Sequence, residues 1–114
     1  MTNKWKLDSL EGKTLRWTFD DGPTAGKTYE HTFSKDGTIL FKGMDGPAKG
    51  QSTRAKQSAT EKVTDDIFVI SYLGDSGYTL TVVLDFDRQR MVGFASNDKE
   101  WYQQHGTFEV VSDS

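Results

Sequence analysis

The sequence predicts an all-β fold, an eight-stranded antiparallel up-and-down barrel, on three observations. The first is strict alternation in the run from Lys13 to Ser34. Leu15, Trp17 and Phe19 fall on one face of an extended chain while Thr14, Arg16 and Thr18 fall on the other, the period-2 signature of a half-buried strand. The second is punctuation: turn signals at Asp21-Gly22-Pro23, Lys35-Asp36-Gly37, Asp45-Gly46-Pro47, Gly74-Asp75-Ser76-Gly77, Asp87-Arg88 and Asn97-Asp98 separate runs of strand length. The third is that neighbouring runs are joined by tight turns, so they read as consecutive hairpins, a meander that closes as a barrel.

In chain order, strands are expected over 13–19, 28–34, 38–44, 53–62, 66–73, 78–86, 90–96 and 107–111. The second repeats the alternation of the first with Tyr29, His31 and Phe33, and the Lys35-Asp36-Gly37 turn joins it to the third. Residues 53–62 have no apolar face; as a strand they would point half of their polar side chains inward. The fifth, sixth and seventh follow one another through two short turns. A short helical lid or cap is expected over Leu7 to Gly12, and one helical turn over Asp98 to His105, where Trp101 and His105 are four apart. Residues 112–114 read as a frayed tail.

With 114 residues the chain fits a single barrel domain over 1–114. Hydrophobic residues make up 34% and aromatics 12%, so the core is modest in volume and rich in rings. The net charge is -3, and its 14 basic and 17 acidic residues are interspersed without a basic stripe, which argues against a nucleic-acid partner. No polybasic helix suits a membrane surface, and no stretch approaches the ~20 apolar residues that would cross a bilayer. The N-terminal residues lack the apolar run of a signal peptide, so a soluble, cytoplasmic protein is expected. Zero cysteines exclude disulfides, zinc–thiolate sites and cysteine nucleophiles.

Motifs for chemistry are sparse. His31 and His105 are the only histidines and have no metal-binding spacing, so neither a metal nor another cofactor is expected. There is no nucleophile elbow, and Gly43, Gly46 and Gly50 are too widely spaced for a phosphate loop. What remains is the inner face of the barrel, which alternation lines with Trp17, Phe19, Tyr29, His31, Phe68, Ile70 and Tyr72, with Arg54 a candidate carboxylate anchor from the polar strand. Each has a plainer role beside the functional one. His31 fits a satisfied core or rim histidine, Trp17 and Phe19 fit packing, and Arg54 fits a solvated strand face. The acidic pairs Asp20-Asp21 and Asp65-Asp66 fit turns in which carboxylates bond backbone amides.

Several blocks resemble the bacterial phenolic acid decarboxylases and the related MoaF-like proteins, in the same order along the chain. They are Leu10-Glu11-Gly12-Lys13, Trp17-Thr18-Phe19-Asp20-Asp21-Gly22, Tyr29-Glu30-His31, Ile70-Ser71-Tyr72, Val83-Leu84-Asp85-Phe86 and Lys99-Glu100-Trp101-Tyr102-Gln103-Gln104-His105. The resemblance spans Leu7 to Val111 and implies a lipocalin-like (calycin) barrel and, by analogy, a homodimer. It does not carry the decarboxylation. Trp17 and Phe19 stand where that family places two carboxylate-binding tyrosines, and Gly74 follows Ile70-Ser71-Tyr72-Leu73 where its essential glutamate stands. The family's pocket arginine matches Arg54, although an ungapped alignment puts Gln51 there.

The resemblance is therefore nearest to the MoaF-like proteins, and the reading preferred is a non-decarboxylating barrel that binds a small aromatic or amphipathic molecule. Two other readings stand beside it. One is a lyase or isomerase with His31 as acid or base and Tyr29 or Tyr72 orienting the substrate, and the other is an interaction module whose core is filled.

Overall fold

The computed structural model describes residues 9–44, 50, 52–55, 57–74 and 77–112. Leu7 and Asp8 of the expected cap, the Asp45-Gly46-Pro47 turn, Gln51, Lys56, the Asp75-Ser76 pair and the last two residues of the tail lie outside the described residues. The strands are β1 (Thr14–Phe19), β2 (Thr28–Phe33), β3 (Ile39–Gly43), β4 (Ser52–Arg54), β5 (Gln57–Lys62), β6 (Ile67–Leu73), β7 (Thr79–Asp85), β8 (Arg90–Ser96) and β9 (Trp101–Ser112). They form one antiparallel sheet in the order β4-β3-β2-β1-β9-β8-β7-β6-β5, curled into a half-barrel. The first and last strands meet inside the sheet, and its two edges are β4 and β5, consecutive in the chain.

The expected count of eight becomes nine because the polar strand over 53–62 divides. With no apolar face, nothing fixes one register along its length. Its first part pairs with β3 (Phe41↔Thr53, Leu40↔Arg54) and its second with β6 (Ser58↔Tyr72, Thr60↔Ile70, Lys62↔Phe68). Ser58 Oγ donates to the Gly37 carbonyl at 3.0 Å across the gap between the edges. Cross-strand partners share a face, so Ser58, Thr60 and Lys62 lie on the inner side, as alternation expects of a polar strand there.

No helix forms among the described residues, so both expected helical turns are corrected. At the N-terminal side, Lys13 N–H donates to the Leu10 carbonyl at 3.0 Å and closes a turn that buries Leu10. At the other, Asn97 Oδ1 accepts the Lys99 and Glu100 amides at 2.8 and 2.7 Å, a tight turn that sends the chain straight back along β8 from Trp101. The i,i+4 spacing of Trp101 and His105 is outweighed by sheet pairing, because the extended chain pairs with β8 from Trp101 to Thr107 and with β1 from Gly106 onward, which gives its backbone groups partners on neighbouring strands. Tyr102, Gln104, Gly106, Phe108 and Val110 then take the inner face.

The interior has two halves. At the end where β1 starts and β2 stops, Phe68, Phe86 and Phe108 pack edge to face, with centroids 5.4 and 4.9 Å apart, and Leu10, Leu15, Phe33, Ile39 and Leu84 fill the space around them. At the opposite end the inner faces carry Trp17, Phe19, Tyr29, His31, Phe41 and Tyr72, whose rings surround open space. Outside, Arg16 pairs with Glu30 at 2.6 Å and Glu30 with Lys42 at 3.8 Å, a charged row across β1, β2 and β3 that keeps this face in water.

Candidate functional site

Alternation on β1 and β2 brings Trp17 and His31 to the same inner face on neighbouring strands, where their rings stack with centroids 3.7 Å apart and 23° between planes. His31 is 2% exposed. Its Nε2 lies 2.7 Å from the Tyr72 hydroxyl across the barrel from β6, and Phe41 on β3 stacks on both rings at 5.8 and 5.3 Å. Four rings from four strands thus form one continuous aromatic floor.

Burial governs the protonation of this floor. Desolvation pushes His31 down to about 3, because its cation would have to leave water with no opposite charge beside it. Burial likewise raises the Tyr72 phenol, so at neutral pH both members of the pair are uncharged. Two buried nitrogens, Trp17 Nε1 and His31 Nδ1, have no hydrogen-bond partner among the described residues. Such groups normally find one, and both residues border the open space.

That space is a cavity of about 490 Å³, within the range of small-molecule sites. Beyond the floor it is bordered by Leu80 and Ala95 and, toward the open end, by Tyr78, Tyr102 and Gln104. Pro23 and Thr24 of the β1–β2 loop complete the mouth. Gln104 holds that loop: its Nε2 donates to the Asp21 carbonyl at 2.9 Å and to Thr24 Oγ1 at 2.6 Å. Gly22 rests directly on the Gln104 side chain, where a Cβ would come within 2.5 Å of Cγ. Asp21 adds a second fastening, accepting the His105 amide at 2.7 Å and lying 2.9 Å from His105 Nδ1. The backbone bond from His105 is the main cause that holds the Asp21 carboxyl below its usual range. The partner amide comes from a strand far along the chain, not from within the Asp20-Asp21 turn as the sequence suggested.

Of the expected pocket residues, Trp17, Phe19, Tyr29, His31 and Tyr72 border the cavity. Three do not. Ile70 is fully buried in the core, and Phe68 packs on Phe86 and borders a smaller cavity of about 300 Å³ near the sheet edges. Both share a face with Tyr72, but they lie progressively deeper along β6, toward the filled half. Arg54 is exposed on β4, with its charge acting on Asp36, while Thr53 beside it faces the cavity. The short β4 register decides this, and no hydrophobic pattern in the sequence could. The sequence reasoning missed Phe41, Tyr78, Tyr102 and Gln104. Phe41 was legible through its position opposite His31, and Tyr102 and Gln104 were hidden by the helical expectation for 98–105.

Among the described residues no group of three or more His, Asp or Glu side chains could hold a metal ion, and no helix is long and apolar enough to cross a membrane. A family model described as MoaF-like matches residues 11–109. Among solved structures, a chain from Burkholderia vietnamiensis described as a "putative beta-lactamase" superposes with a TM-score of 0.74 at 20% identity, over 90% of this chain and 95% of that one. At that identity the likeness speaks for the fold alone. No curated protein matches the chain.

Proposed function

The chain belongs to the MoaF-like family, and from that premise we propose that it binds one small, planar, largely apolar molecule in the open half of its barrel. The observation that carries this is the division of the interior. Leu10, Leu15, Phe33, Phe68, Phe86 and Phe108 pack one half and leave about 300 Å³ beside the sheet edges, whereas the other half keeps about 490 Å³ over an aromatic floor. A structural module would gain stability by filling that space with side chains.

The same geometry favours binding over acid–base chemistry. An acid or base for neutral pH needs a pKa near 7, and His31 is held near 3 by burial. The decarboxylase groups stay replaced in the folded chain: Trp17 and Phe19 carry no hydroxyl into the cavity, and Gly74 borders it where a glutamate would have stood.

A thermal-shift screen of small aromatic compounds, followed by calorimetry, tests the proposal. A ligand at a hundredfold excess over its dissociation constant is expected to stabilise the fold by about 2.7 kcal/mol. Trp17→Ala and Tyr72→Ala are expected to weaken its binding tenfold or more, since each removes a stacking wall. Phe41→Leu and Tyr102→Ala, at partly exposed positions, serve if the buried variants do not fold. Confirmed ligands that bind these variants with unchanged affinity would place binding elsewhere and overturn the proposal.

A further inference from the structure

The charges around the mouth of the cavity discriminate between classes of ligand. Among the described residues that border it there is no lysine or arginine. A carboxylate entering it would give up its hydration with no cation to replace the lost water.

What the mouth offers is two phenol rings backed by a carboxylate, and one neutral acceptor. Glu100 is gripped by two phenols: Tyr78 donates to Oε1 and Tyr102 to Oε2, both at 2.6 Å. These bonds, the one from Tyr102 foremost, hold the Glu100 carboxyl below its usual range, and the one to Glu100 pushes the Tyr78 phenol up to about 12. The carboxylate stays charged and the phenols stay protonated at neutral pH. The two rings border the cavity with centroids 6.2 Å apart, tilted by 48°. A phenol that donates to a carboxylate carries extra negative charge on its ring face, the face that attracts cations. Gln104 adds a neutral acceptor. Because its amide nitrogen must serve the Asp21 carbonyl, its Oε1 is turned the other way and receives no bond from the described residues.

We propose that the pocket selects a small organic cation, an ammonium on an apolar body, with the charge against the cavity-facing sides of the Tyr78 and Tyr102 rings and the body against the Trp17, Phe41 and Tyr72 rings. This rests on the pocket reading above and deepens it. Glu100 does not itself border the cavity, but it holds both phenols by their hydroxyls, so its negative charge backs the rings that meet the cation. An anion of the same shape meets the same rings with the opposite sign of interaction.

Calorimetry with three probes of similar size, phenyltrimethylammonium, its neutral isostere tert-butylbenzene, and benzoate, separates the possibilities. The cation is expected to bind about tenfold more tightly than the isostere, in keeping with a partly desolvated cation–π contact, and benzoate most weakly. Glu100→Gln, an exposed substitution, is expected to remove most of that advantage and leave the affinity for tert-butylbenzene unchanged. Equal binding of cation and isostere, or an advantage untouched by Glu100→Gln, overturns the proposal and leaves the pocket standing. If none of the three binds, the pocket reading falls with it.

Discussion

Between pH 7 and pH 4 the protein is expected to lose about 3 kcal/mol of stability through His31 alone. In the unfolded chain this histidine takes up a proton near its ordinary value of 6.5, whereas in the fold burial holds it to about 3. In that window the unfolded state binds a proton that the native state excludes, so stability falls as pH falls, by about 1.4 kcal/mol for each unit well inside the window. Above 6.5 the contribution is complete, and below about 3 no further loss comes from this group. The lowered carboxyls of Asp21, Asp36 and Glu100 act in the same direction at more acidic pH, since each loses its stabilising bonds on protonation. Chemical denaturation of wild type and His31→Phe at several pH values isolates the effect. Phenylalanine keeps a ring against Trp17 and cannot titrate, so the variant curve should lack the loss between pH 6.5 and 4. Parallel curves for the two proteins would mean that His31 is hydrated in solution and that the aromatic floor is not sealed.

The second large effect is expected at Gly106. On β9, opposite Phe19 of β1 and Met91 of β8, its Cβ would run into the Thr18 carbonyl and within 3.2 Å of the Phe19 Cα. These are backbone atoms of a paired strand, which cannot swing aside as a side chain does. Gly106→Ala is therefore expected to cost about 3 kcal/mol or more, the upper part of the range for overpacking. It should also displace β1, the strand that carries Trp17 and Phe19 to the cavity. Gly93 on β8 is the control. A Cβ there meets only the Val82, Met91 and Phe19 side chains at 3.6 to 3.7 Å, ordinary contact, so Gly93→Ala is expected to change stability by no more than about 1 kcal/mol. Urea unfolding of the two variants side by side decides it; equal stabilities would mean that β1 and β9 do not approach this closely in solution.

Both expectations show where the sequence was readable. Leu15, Trp17 and Phe19 face inward as their alternation requires, and Tyr29, His31 and Phe33 continue that face on the next strand. A period of two leaves a strand only two choices of face, and the apolar set can be hidden by only one of them. The hairpins were equally plain, because Lys35-Asp36-Gly37 and Asp87-Arg88 are local turn chemistry. The failures lie where the local pattern was silent. Residues 53–62 offered no apolar periodicity, and the strand divided to serve both sheet edges. Residues 98–105 mixed rings with amides, and strand pairing outweighed the helical spacing.

The sequence by itself thus determined the all-β class, the inner and outer faces of its apolar strands, and most of the aromatic floor, since each depends on residues near one another in the chain. Only the tertiary structure decided how deep each inward side chain lies. Phe68 and Tyr72 share a strand and a face, yet Phe68 packs against Phe86 in the core and Tyr72 borders the larger cavity at the other end. Periodicity assigns a side and says nothing of position along the barrel axis. Depth is set by the stagger of all nine strands and by Leu10 and the phenylalanines that close one end, contacts between residues far apart in sequence.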